Sequence, residues 1–204
     1  MQKTIGSALM LLAVISCGET AEKKVEQNTD QTSQKKEESG KVLPSADYSS
    51  LLQNYECDMD AAEVSRVLKI PETDVSIPEF TQAGNCSFEI KGFGENALGG
   101  TILSWGATPF SKADSKKEIQ SALKDKEKKE NIFGMDIELS ETGDCYIRIL
   151  PHVGRVIIYN ENYDHAFFFT YSQRGIYKRT EEEHAALGAK TIALANYLLK
   201  KHKR

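Results

Sequence analysis

The chain has little of what marks several common classes of protein. Of its 204 residues only four are cysteine, five proline, four histidine and one tryptophan. Four cysteines are too few for a disulfide-dense scaffold. Neither sign of charge dominates: 26 basic residues stand against 30 acidic ones, a formal charge of −4. That balance argues against the whole-chain basic footprint of a nucleic-acid-binding protein, and none is expected as a partner. The uncharged, mostly apolar run from Ile5 to Ile15 is also short. About 11 residues at ~1.5 Å each cover roughly 16 Å, half a bilayer core, so this is not a membrane-spanning helix. No internal repeat is visible, and the length suits one domain with an appendage.

What is present begins with an address. Lys3 supplies a positive start, and the run after it has the proportions of a signal-peptide h-region. It ends in Val14-Ile15-Ser16-Cys17: an aliphatic residue, a permissive one, a small one, then cysteine. In these residues the chain resembles bacterial lipoproteins processed by the lipoprotein signal peptidase. The resemblance implies that residues 1–16 are a removable signal peptide and that the Cys17 sulfur receives a diacylglyceryl group. Cleavage then frees an amine that is acylated in turn, typically with palmitate. Only cysteine serves, because a thiolate must take the lipid. The resemblance further implies attachment to a membrane of the cell envelope. Gly18 rather than aspartate after the cysteine favours the outer membrane where there are two. The alternative is an ordinary secretory signal with a coincidental cysteine.

Residues 17–45 read as a tether. From Gly18 to Lys41 the aliphatic side chains are Ala21 and Val25, too few to offset the entropy of ordering. A coil of about 24 residues has an r.m.s. span of roughly 25–30 Å. The Lys23-Lys24 and Lys35-Lys36 pairs have glutamates beside them, which reads as solvation rather than lipid binding.

Residues 46–204 are expected to form a single globular domain. Asp60 caps a short helix carrying Val64, Val67 and Leu68 that stops at Ile70-Pro71. Residues 71–85 read as loop. Cys86–Lys91 and Thr101–Trp105 alternate as strands across a glycine-rich turn, and Ser115 is expected to cap a second helix with Ile119, Ala122 and Leu123 inward. Four strand-like runs follow, 135–139, 145–150, 155–159 and 165–171. The last holds Ala166-Phe167-Phe168-Phe169, apolar on both faces and so expected to be central. Thr180 caps a long helix with Leu187, Thr191, Leu194, Leu198 and Leu199 on one face. This order predicts an α+β sandwich: an antiparallel sheet of about six strands packed with about three helices. In element order alone it is loosely similar to PsbP-like sandwiches, a likeness that implies no activity.

The candidate motifs carry little chemistry. Gly92-Phe93-Gly94-Glu95-Asn96-Ala97 matches a dinucleotide fingerprint but leads into a strand, not a helix. Asp58-Met59-Asp60 opens like a calcium loop but lacks its glycine and its glutamate. Glu181-Glu182-Glu183-His184 places a carboxylate and an imidazole on one helix face, read as a solvated first turn. His152, His165 and His202 show no metal spacing. Cys145 with His152 or His165 is the one nucleophile pairing available, and Cys145 shares its strand face with Ile147 and Ile149. The basic C-terminal residues form a last helical turn without interleaved aromatics. No catalytic residue, metal ligand or cofactor is therefore assigned.

Three cysteines of the domain allow one disulfide in three ways. Cys57–Cys86 is favoured, because it would pin an apolar-poor segment. Two functions remain: a non-catalytic, lipid-tethered module binding another envelope component, or a carrier or sensor of a small apolar ligand. The second would use Trp105, Phe167, Phe169 and Tyr171 as its pocket, although their strand periodicity also fits plain core. An enzyme of unknown chemistry stands third.

Overall fold

The computed structural model describes residues 46–79, 86–94, 99–128, 135–173 and 179–204. The signal peptide and tether expected within 1–45 lie outside the described residues, as do residues 95–97 of the glycine motif. Among the described residues the elements are α1 (Ser49–Leu52), α2 (Ala61–Leu68), β1 (Val75–Ser76), β2 (Cys86–Ile90), β3 (Thr101–Pro109), α3 (Lys112–Glu127), β4 (Asp136–Leu139), β5 (Tyr146–Leu150), β6 (Arg155–Tyr159), β7 (His165–Gln173) and α4 (Glu181–His202). Single 3-10 turns lie at Glu72–Asp74 and Pro151–Val153.

The sheet has the order β1-β2-β3-β7-β6-β5-β4, antiparallel at every pairing. The α+β class stands, with one more strand and one more helix than expected. Both additions are too short to carry a period: β1 is two residues paired with Ile90 and Glu89, and α1 is a single turn. The second helix also starts earlier than read. Its cap is Ser111, whose side chain accepts from the Asp114 N–H, while Ser115 lies inside the helix and is buried. The caps read at Asp60 and Thr180 are in place. Asp60 accepts from the Glu63 N–H, and Thr180 and Glu183 form a reciprocal capping box, as their spacing dictates.

The topology follows from a single long crossover. β3 leads into α3, which delivers the chain to β4 at the far edge; β4 to β7 then meander back until β7 lies beside β3. The β3–β7 pairing runs in continuous register from Thr101 opposite Gln173 to Pro109 opposite His165. The Phe167–Phe169 run is central, as its two-sided apolarity requires.

The sheet's two faces bury two cores. On one face Phe88, Leu103, Trp105, Ile147, Val156, Ile158, Phe167 and Phe169 pack with Leu187, Leu194 and Leu198 of α4, Val64 and Leu68 of α2 and Leu51 of α1. On the other, Ile119 and Ala122 of α3 meet Ile137, Ile157, Tyr159 and Ala166. The result is three layers, helices–sheet–helix. Burial of each large apolar side chain contributes about 1.5–3 kcal/mol before ordering costs.

Cys57, just ahead of α2, is joined to Cys86, the first residue of β2, with the Cα atoms 5.0 Å apart. The favoured pairing is the one formed. Beside it the Trp105 indole N–H donates to the Tyr55 hydroxyl at 2.7 Å, and that hydroxyl lies 3.4 Å from Cys86 Sγ.

Candidate binding cleft

α4 covers the sheet unevenly. Its second half carries Leu194, Leu198 and Leu199, all fully buried. Its first half presents Ala185, Gly188 and Ala189 instead, and small side chains leave space where large ones would fill it. Beneath them, Ile149 comes from the end of β5 and Asp136 from the start of edge strand β4. These two are direct cross-strand partners and so share a face. After β5 the chain makes the Pro151–Val153 turn, closed at Gly154 in the left-handed region, φ 62°, and this turn brings in Pro151 and His152.

The space so framed is a cleft of about 800 Å³, inside the roughly 300–1,000 Å³ range of small-molecule sites. Its apolar wall is Ile149, Pro151, Ala185, Gly188, Ala189 and Ile192, and its polar groups are Asp136, His152, Glu181 and His184. Burial first, and then the nearby Arg179 charge, lower the His184 pKa against the opposing pull of Glu183. The ring is therefore neutral at pH 7, with one nitrogen able to accept a hydrogen bond. His184 Nδ1 is buried and makes no hydrogen bond. A smaller hollow of about 330 Å³ lies on the uncovered part of the opposite sheet face. Ser104, Thr108, Arg155, Phe168 and Thr170 border it, with the Arg155 guanidinium 5.7 Å from the centre of the Phe168 ring.

The aromatic set expected to line a pocket is core. Trp105 and Tyr171 are 2% exposed, and Phe167 and Phe169 are fully buried. Trp105 stacks on Phe88 at 5.5 Å between ring centres, and Phe167 meets Phe169 edge-on at 5.3 Å. Trp105 borders the smaller hollow, while its ring lies in the α4-side core. Strand periodicity placed these residues on one face correctly, but that face is filled by α1, α2 and α4.

Cys145 is fully buried. Burial pushes its thiol up to about 12, and Asn160 Nδ2 donates to its sulfur at 3.3 Å. β7, which His165 opens, is separated from β5 by β6, about 10 Å at strand spacing. His152 lies beyond the far end of β5, roughly 20 Å along an extended chain. His202 is a packing residue: its Nδ1 is 3.0 Å from Ser50 Oγ and its ring meets Tyr55 edge-on.

Sequence reasoning missed the meeting of His152 with the Glu181/His184 helix turn. No spacing signals it, because the two segments are joined only by the return of α4 over the β5–β6 connection. What the cleft can do chemically is hold a ligand with an apolar body and a polar end. Serine, threonine, cysteine and lysine are absent from its described lining, so those residues provide no nucleophile of these types. Among the described residues no group of three or more potential metal ligands occurs, and no helix is long and apolar enough to cross a membrane. No family model, curated protein or solved structure matches the chain.

Proposed function

We propose that this protein is a lipid-anchored, non-catalytic binding protein of the cell envelope, and that its ligand occupies the cleft between α4 and the β4–β5 edge. The anchor rests on the Val14-Ile15-Ser16-Cys17 signature and the polar tether after it. The observation that carries the binding assignment is the cleft: an apolar wall with a few convergent polar groups. That combination is what small-molecule sites offer. It also moves the small-ligand reading ahead of a macromolecular partner, and it shifts the site from the aromatic core to the small-residue half of α4.

Two measurements test it. Labelled palmitate should enter the full-length protein and not Cys17→Ser, which should also leave the membrane fraction. Two acyl chains at about 0.8 kcal/mol per buried methylene hold stably where one is marginal. Native mass spectrometry of the purified protein should show bound small molecules that Ala189→Trp, which fills the cleft, removes. A Cys17→Ser protein that still labels defeats the anchor. Bound molecules indifferent to Ala189→Trp defeat the site.

A further inference from the structure

The cleft's described lining is unbalanced in charge. It holds two carboxylates, Asp136 and Glu181, and two imidazoles, His152 and His184, but neither lysine nor arginine. Asp136 is answered from outside the lining: Lys126 Nζ lies 2.9 Å from its carboxylate. Glu181, exposed at the first turn of α4, has no such counterpart among the described residues. Arg179 acts on the His184 ring as a nearby charge, but it lies outside the lining and hydrogen-bonds to other segments. Its guanidinium donates to the Phe93 carbonyl at 3.3 Å, the Tyr171 carbonyl at 3.4 Å and Thr101 Oγ1 at 2.8 Å, and it lies over the Tyr171 ring.

We propose that the ligand of this cleft is a small organic cation, a protonated amine on an apolar body. Resting on the cleft being the ligand site, the placement follows from its two walls. The ammonium sits at the Glu181 carboxylate, and the body lies along Ile149, Pro151, Ala189 and Ile192. An ammonium only donates hydrogen bonds, and a carboxylate accepts them with the added attraction of its charge. A carboxylate or phosphate in the same place would face the Glu181 carboxylate with no lysine or arginine in the described lining to receive it. A neutral ligand would keep the apolar contacts and leave the Glu181 charge unanswered.

The test uses the full-length protein in nanodiscs of zwitterionic phosphatidylcholine, with empty discs as blank, and equilibrium dialysis of three probes that share one body: 4-phenylbutylamine, 4-phenylbutan-1-ol and 4-phenylbutyrate. An exposed charge pair of up to about 1 kcal/mol is a factor of about five, so the amine should bind about fivefold more tightly than the alcohol. The acid should bind weakest. Glu181→Gln should remove the preference, while Glu182→Gln, on the same turn but outside the lining, should keep it. Ala189→Trp and Ala185→Trp, both at exposed positions, should abolish binding of all three probes with thermal unfolding unchanged. Equal binding of amine and alcohol, or a preference that survives Glu181→Gln, overturns the cation assignment and leaves the cleft as the site. Failure of all three probes to bind, or binding that both tryptophan variants tolerate, overturns the site itself.

Discussion

Asp47 and Arg204 exchange backbone hydrogen bonds: the Asp47 N–H donates to the Arg204 carbonyl at 3.1 Å, and the Arg204 N–H to the Asp47 carbonyl at 3.2 Å. Asp47, ahead of α1, and Arg204, after α4, are thus paired like two rungs of a short ladder. Lys203 adds to the closure by donating to the Thr142 carbonyl at 3.1 Å. A hydrogen bond contributes about 0.5–1.5 kcal/mol net. Deleting Lys203 and Arg204 should therefore lower unfolding stability by about 1–3 kcal/mol, read as a lower urea midpoint at unchanged slope. An unchanged midpoint would show that the pairing is incidental.

Asp144 is the buried centre of that junction, its side chain only 3% exposed. Tyr48 donates to it at 2.8 Å and the Ala46 N–H at 3.2 Å. Burial raises its pKa, but these bonds, one from Thr142 and the Lys203 charge outweigh burial and hold the carboxyl below its ordinary 3.8. A carboxyl lowered by folding stabilises the native state fully above the unfolded value and loses that contribution as pH falls through the folded one. Stability should fall with acid below about pH 4, and Asp144→Asn should flatten that part of the profile. It should also cost about 1–3 kcal/mol at pH 7 through disrupted hydrogen bonding. Urea midpoints of both proteins across pH 2–7 check this.

The Cys57–Cys86 bond spans a separation of 29 residues, for which loop-closure entropy gives about 3–4 kcal/mol. Reduction should lower the midpoint accordingly, and Cys57→Ser with Cys86→Ser should reproduce the loss without reductant. Cys145 should behave oppositely. With its thiol pushed up to about 12 by burial, its thiolate is vanishingly rare near neutrality. Its tryptic peptide should stay unalkylated in native protein at pH 8 and become fully alkylated in denaturant.

Those residues also show what a sequence can reveal. Cys57–Cys86 was legible because the choice turned on which segment lacked apolar contacts of its own. The α2 and α4 caps were legible because capping is local chemistry. Ser111 and Ser115 both stand ahead of an apolar helical pattern, and only tertiary packing, which buries Ser115, tells them apart. The cleft was illegible for a different reason. His152 and His184 belong to elements whose meeting depends on where α4 crosses the sheet, and the space between them is made by what Ala185, Gly188 and Ala189 lack. Hydrophobic periodicity reports filled positions, so it pointed to the aromatic core.

Two glycines beside the cleft should respond in opposite directions. Gly154 closes the Pro151–Val153 turn at φ 62°, and a Cβ there would stand 2.7 Å from the Tyr171 carbonyl oxygen. That oxygen is backbone of the central strand β7 and cannot move cheaply. Gly154 is also bound in place, its N–H donating to Pro151 and its carbonyl accepting from Tyr171, both at 2.9 Å. Gly154→Ala therefore combines left-handed strain with a clash and should cost more than about 1 kcal/mol, while shifting His152 at the cleft wall. Gly188 lies inside α4, where a Cβ would meet Ile149 Cγ2 at an ordinary 3.9 Å. Alanine there should stabilise the helix by about 0.5–1 kcal/mol, and by narrowing the cleft it should weaken ligand binding. Thermal melts of the two variants, with probe binding measured on the same samples, separate the effects. A stabilised Gly188→Ala that binds amines as before would place the ligand away from the Gly188–Ile149 contact.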